Sequence, residues 1–118
     1  MNKSFLILFL TLINGEALDI TFRYIENQND DFVRMFVPGE MNNWGPNSNG
    51  FINPNAPSLM IYSDLSKSYN KTYSLNVGQT YLYKYHFHFN QSGLDYSWIP
   101  DPLNLSLIHI SEPTRLGM

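Results

Sequence analysis

Every second residue of the run Tyr81 to Asn90 (YLYKYHFHFN) is aromatic or apolar on one parity and mostly polar on the other. Tyr81, Tyr83, Tyr85, Phe87 and Phe89 share the first parity, while Leu82, Lys84, His86 and His88 share the second. Side chains alternate between the faces of a β-strand, so this spacing lines up five rings on one side of an extended segment. An α-helix would scatter both sets around its circumference. Five rings on one face need a facing layer to cover them, which commits the chain to a sheet packed on a second layer.

The same period recurs elsewhere. Leu18, Ile20, Phe22 and Tyr24 alternate with Asp19, Thr21 and Arg23, and Val33, Met35 and Val37 alternate with Arg34 and Phe36 until Pro38-Gly39 stops the run. Leu59 to Tyr62 predicts a short strand, and Thr72 to Val77 another, with Tyr73, Leu75 and Val77 inward. Val77-Gly78-Gln79-Thr80 makes a tight connection; Asn90-Gln91-Ser92-Gly93 turns the chain into an extended Tyr96 to Ile99, ended by Pro100-Asp101-Pro102. The body carries neither a capped helical period nor an internal repeat. Short strands at this spacing predict an all-β chain, an antiparallel β-sandwich. Glu40 to Pro57, dense in Asn, Gly and Pro, reads as a long surface loop, and a loop of that length in a small domain is usually functional.

The two ends read differently from the body. Lys3, the apolar run Phe5 to Ile13 and the small-x-small Gly15-Glu16-Ala17 have the order of a secretory signal peptide, residues 1–17, with the mature chain starting near Leu18. The apolar run is far short of the ~20 residues a spanning helix needs, so no membrane association is expected after cleavage. Ser106 to Met118 (SLIHISEPTRLGM) resembles the translation of a sequencing adapter. On that reading 106–118 is an artefactual tail, 18–105 is the domain, its last strand is lost by truncation, and His109 and Glu112 bear on no function.

With 118 residues the chain holds one domain and cannot encode a (β/α)₈ barrel, which takes about 250. Seven Lys and Arg spread against ten Asp and Glu, net −3, leave no basic footprint for nucleic acid. Export permits disulfides, yet there is no Cys, so the core must supply the stability. No catalytic residues are expected: a Cys nucleophile, a Gly-x-Ser-x-Gly elbow and a phosphate loop are all missing. Asp95 with Asp101, or Asp30 with Asp31, could in principle pair for glycoside hydrolysis, but neither pair has a recognisable setting, and Asp30-Asp31 reads as a solvated turn. His86 and His88 share a strand face that could hold a metal. Without a third ligand they read as half-exposed strand residues, and neither metal nor cofactor is indicated. Asn70-Lys71-Thr72 and Asn90-Gln91-Ser92 fit the glycosylation triplet, which an Asn-rich chain produces by chance.

Trp44, Lys84 and Trp98 form a more informative set. Trp44 stands in the polar loop Asn42-Asn43-Trp44-Gly45-Pro46, and Trp98 precedes the Pro100-Asp101-Pro102 corner. A sugar ring offers apolar C–H patches to a flat indole and hydroxyls to amides and ammonium groups, so Trp beside Asn43 and Lys84 suits a saccharide. Taken singly, each Trp is more often core than platform. Three ordered blocks carry a family likeness: Phe36-Val37-Pro38-Gly39-Glu40-Met41-Asn42-Asn43-Trp44, then Leu75-Asn76-Val77-Gly78-Gln79-Thr80-Tyr81-Leu82-Tyr83-Lys84-Tyr85, then Trp98-Ile99-Pro100-Asp101-Pro102-Leu103-Asn104. Together they resemble the early-set immunoglobulin-like domain of carbohydrate-binding module family 48, found in the glycogen-binding domain of the AMP-activated protein kinase β subunit and at the N-terminus of glycoside hydrolase family 13 enzymes.

The resemblance covers about Asp19 to Asn104. It implies an immunoglobulin-like sandwich that binds an α-1,4-glucan such as starch or glycogen, with Trp44 and Trp98 stacking on glucose and Lys84 and Asn43 meeting hydroxyls. With the signal peptide, it implies a secreted or periplasmic N-terminal module, not itself an enzyme, of an α-amylase-family hydrolase whose catalytic domain follows in the same polypeptide. Two alternatives stay open: a non-binding domain that packs on and positions that catalytic domain, and a free-standing secreted adhesion module. The Asn-rich insert after Trp44 and the Asn90 to Ser97 loop depart from the compact kinase-subunit pattern.

Overall fold

A computed structural model describes residues 16–101 and 107–111. The readings that rest on 1–15, 102–106 and 112–118 lie outside them. Among the described residues eight strands appear in chain order: β1 (Ala17–Ile25), β2 (Arg34–Phe36), β3 (Ile61–Ser63), β4 (Ser68–Asn76), β5 (Thr80–Leu82), β6 (Tyr85–His88), β7 (Tyr96–Ile99) and β8 (Leu107–His109). One 3-10 turn among the described residues, Glu40–Asn42, interrupts them. The strands form two three-stranded sheets, β1-β4-β3 and β2-β6-β7, and a two-stranded ribbon, β5-β8. Every pairing is antiparallel. The chain is an antiparallel β-sandwich, as its periodicity predicts.

The first sheet follows from strict alternation. β1 pairs with β4 from Ala17↔Asn76 to Ile25↔Ser68, which brings Ile20 opposite Tyr73 and Phe22 opposite Lys71. Phe22, Leu75 and their same-parity neighbours Leu18, Ile20, Tyr24, Tyr69, Tyr73 and Val77 turn inward. From the second sheet Met35, Tyr85 and Phe87 meet them, with Val37 and Tyr83 beside, and Met60 joins through its N–H to Met35 O at 2.8 Å. Full burial of one such side chain is worth about 1.5–3 kcal/mol. The outward face of β1 and β4 is polar: Thr21 and Thr72 hydroxyls bond at 2.7 Å, and Arg23 Nε donates to Asn70 Oδ1 at 2.6 Å. Asn70 of the first glycosylation triplet is thus already engaged.

The single long strand expected over Tyr81 to Asn90 is two strands. β5 pairs with β8 and β6 pairs with β2 and β7, and between them Tyr83 bridges Gly39. The chain changes partner there, which ends one ladder and begins the next. The approach is close enough to require glycine: a Cβ on Gly39 would lie 2.7 Å from Leu82 O and 2.8 Å from Tyr83 Cβ. The last strand, expected to be lost by truncation, has an occupant in the structure. β8 lies on β5, Ile108 packs on the core and Ile110 is buried, although these residues fall in the adapter-like tail. An apolar-polar alternation of the right length suffices to fill a sheet edge, whatever its origin.

Candidate carbohydrate-binding face

The segment between the 3-10 turn and β3 does not stand out as a surface loop. It folds back over the outer face of β2, β6 and β7, where Ile52 and Ala56 pack with Phe36, Leu59 and Trp98 as a second buried cluster. This corrects the expectation for His86 and His88. Both are 0% exposed, roofed over rather than half-open to solvent. Apolar side chains hidden among the Asn and Pro residues supply the reason, since they gain by covering the sheet.

Asn42 starts the roof. Its Oδ1 accepts from Gly39 N at 2.9 Å and Gly45 N at 3.0 Å, while its Nδ2 donates to Val37 O and to Tyr73 Oη, both at 2.9 Å. Tyr73 Oη in turn donates to Pro57 O at 3.2 Å, so one phenol on β4 holds both feet of the segment. Burial raises the Tyr73 pKa, and the bond from Asn42 opposes that shift. Inside the roof, Ser48 and Phe51 form a bridge, and Asn47 donates to Trp44 O at 2.9 Å while accepting from Gly50 N at 3.0 Å.

Asn43 and Trp44 follow Asn42 with φ of 55° and 57°, both left-handed. For Asn this is common. For Trp it is rare, and the left-handed region costs about 1–2 kcal/mol for an ordinary L-residue. The turn is held there by Trp44 N–H donating to Gly39 O at 2.8 Å. Lys84 N–H donates to the preceding carbonyl, Pro38 O, at 2.9 Å, so Trp44 and Lys84 hang from adjacent carbonyls of one short segment. Asn43 and Lys84 are exposed and Trp44 is half-buried. Among the described residues the one ion pair is Lys67–Asp64, so no carboxylate there engages the Lys84 ammonium.

Trp98 reaches the same roof from β7. It pairs with His86, two residues along from Lys84 on the same strand parity. Its Nε1–H donates to Gly50 O at 2.8 Å and its ring stands edge-on to His86 at 4.7 Å, leaving it half-buried. Trp44 and Lys84 are therefore tied to one segment, Pro38-Gly39, with Asn43 next to Trp44 in the chain, while Trp98 attaches further along the roof, at Gly50. Trp98 contributes part of its ring but has spent its hydrogen-bonding edge.

The carboxylates do not form a pair. Asp95 and Asp101 flank β7, whose four extended residues alone span about 13 Å, beyond the ~5–10 Å of glycosidase pairs. Asp101 is buried and accepts from Tyr83 Oη at 2.6 Å and Tyr85 Oη at 3.4 Å, which ties the corner after β7 to the core. Asp30 accepts from Tyr24 Oη at 3.0 Å and Asn27 N at 2.7 Å, the turn expected for it. Burial and that carboxylate push the Tyr24 pKa up to about 12. Asn90 Oδ1, of the second triplet, accepts from Gly93 N at 3.0 Å and anchors its turn. Among the described residues no three His, Cys, Asp or Glu side chains converge as a metal site.

Sequence reasoning passed over Asn42, Phe51 and Ile52, which build the roof. A signal existed in the pair Phe51-Ile52, the one doubly apolar step within a stretch otherwise made of turn residues. The chain matches no protein-family model, no curated protein and no solved structure.

Proposed function

We propose that the chain is an α-glucan-binding module of immunoglobulin-like type, belonging to a secreted enzyme that acts on starch or glycogen. One observation carries the reading: Trp44 is held in a left-handed backbone conformation beside an exposed lysine and an exposed asparagine. Strain of this kind persists only where the surroundings enforce it, and it collects at binding sites. Here the enforcing groups are the carbonyl of Gly39 and the side chains of Asn42 and Asn47, which fix the turn that carries the indole. In the proposed complex Trp44 stacks on a glucose ring, Lys84 and Asn43 meet its hydroxyls, and Trp98 offers a partial second platform.

A stack is worth about 0.5–1.5 kcal/mol beyond area burial, and two with a few hydrogen bonds give affinities from about 1 μM to 1 mM. Affinity electrophoresis of the full chain in gels containing glycogen or amylose tests this. Wild type is retarded, and Trp44→Ala loses about tenfold or more in affinity with unchanged thermal unfolding. Equal retardation of the two proteins, or none for wild type, defeats the reading. One observation favours a domain that instead packs on a downstream catalytic unit. Ile25, Ile61 and Leu65, at 61%, 61% and 96% exposure, collect at one end of the first sheet. That reading predicts no retardation in any glucan gel.

A further inference from the structure

Segment 44–57 covers the outer face of the second sheet yet contains no Asp, Glu, Lys, Arg or His. Beneath it, His88 Nδ1 lies 2.8 Å from Arg34 Nη1. A guanidinium can only donate, so Nδ1 is the acceptor and the ring proton is assigned to Nε2. That nitrogen is buried with no aligned hydrogen-bond partner, and so are both ring nitrogens of His86. Arg34 is itself anchored on the turn after β6, its Nη2 donating to Gln91 O at 2.6 Å. Phe51 from the roof lies parallel to the His88 ring, and Gly93 abuts the ring's far edge, where a Cβ would come within 2.6 Å of Cε1. His86 is enclosed by Tyr96, Trp98 and Phe36 and stands 5.2 Å from the His88 ring.

A proton added to this pair meets little that welcomes it: burial and Arg34 oppose a charged His88, and the Ile52 backbone favours it less strongly. At His88 Nδ1 it turns the acceptor into a donor aimed at a donor. On either ring it places a charge beside another cation or potential cation, away from water. The ionisable groups facing the pair are Arg34 from β2, the phenol of Tyr96 from β7, and the two histidines themselves from β6. Asp95 lies exposed in the neighbouring turn, and the roof offers none. Among the described residues no carboxylate accepts a hydrogen bond from either ring. A metal ion is opposed by the same guanidinium and lacks a third ligand.

We infer that His86 and His88 form an acid-operated latch: protonation lifts the roof between its feet at Asn42 and Pro57 while the inner core stays packed. Burial, with a smaller contribution from His88, holds the His86 pKa down at about 4. Burial first and Arg34 second lower that of His88, with the Ile52 backbone opposing. Lifting also frees the Trp98 indole from Gly50. The inference does not rest on glucan binding, because the roof needs no sugar to move.

Hydrogen exchange of the full chain between pH 7 and pH 4, corrected for the intrinsic pH dependence of exchange, tests the latch. Amides bonded within the roof, such as Ser48, Phe51 and Ala56, lose protection by at least about tenfold below about pH 5, while β1 and β4 keep theirs. The double variant His86→Phe/His88→Gln, which keeps a ring and an acceptor but cannot titrate, holds its roof closed. Should that variant fail to fold, NMR titration of the wild-type histidine rings decides, because the roof must open in step with their protonation. Three results overturn the latch: a roof still protected at pH 4, loss of protection in both sheets at one pH, or histidines that titrate near 6.5 with the roof closed. A double variant that folds and opens at the wild-type pH does the same.

Discussion

On the inner face of β6, Tyr85 and Phe87 meet Tyr24, Phe32 and Tyr83; on the outer face, His86 and His88 meet Phe36, Phe51, Tyr96 and Trp98. Both faces are buried and aromatic, yet they are finished differently. The inner phenols are tied to Asp101, whereas the outer imidazoles leave three nitrogens without partners. The long β1–β4 ladder and the shorter ladders of the second sheet close the inner face, and a single irregular segment closes the outer one. Burial alone therefore does not define a core. The inner face is stable in its own right, while the outer one holds only for as long as its histidines stay neutral.

The largest expected effect probes the inner face. Phe22 stands edge-on to Tyr83 at 5.0 Å and to Tyr73 at 6.4 Å in the centre of the sandwich. Phe22→Ala costs about 3–5 kcal/mol through lost burial and the cavity left behind, read as a lower urea midpoint. A cost below about 1 kcal/mol would make the roofed face the true core and reverse the comparison.

Second comes the pH dependence of the outer face. An unfolded His86 takes a proton below about pH 6.5, but the folded one does so only near pH 4. Between those values the unfolded chain binds more protons, so stability falls as pH is lowered through this window. The total for His86 is up to about 3 kcal/mol, complete near pH 4. Urea titrations of wild type and His86→Phe at pH 7, 5.5 and 4 should converge at neutral pH and separate in acid. Parallel curves would place the titrating group elsewhere.

Smallest is the seam where the roof meets β7. Trp98→Phe keeps a ring against His86 but deletes the 2.8 Å bond to Gly50 O, at a cost of about 1 kcal/mol. Its local exchange signature, confined to the roof, sharpens the contrast with Phe22→Ala, which weakens every element together.

The inner face was legible because alternation encodes it directly. Leu18 to Tyr24, Tyr73 to Val77 and the odd residues from Tyr81 to Phe89 all turn toward the core, and Tyr96 to Ile99 has the predicted bounds. The outer face was not legible, because a period of two divides a strand into two sides without saying which meets water. His86 and His88 look like solvent-facing residues until a segment about thirty or more positions away in the chain, itself rich in turn formers, is laid over them. The break at Tyr83 was hidden for a related reason: a change of hydrogen-bonding partner leaves the alternation intact. At the candidate site, the polar loop around Trp44 was visible, but the left-handed turn was not, since it depends on the carbonyl of Gly39 and the side chain of Asn42.

Tyr73 makes the stretch from Asn43 to Ala56 a replaceable cartridge. Asn42 and Pro57 are joined through a single phenolic oxygen on the opposite sheet, so the stretch leaves and returns at one point, and between its ends it is held by the Trp98 bond to Gly50 O and the packing of Ile52 and Ala56 on Phe36. Compact loops with adjoining ends tolerate exchange well. New sequences spliced between these two anchor points, with a few apolar residues retained to cover Phe36, would be carried by the same scaffold.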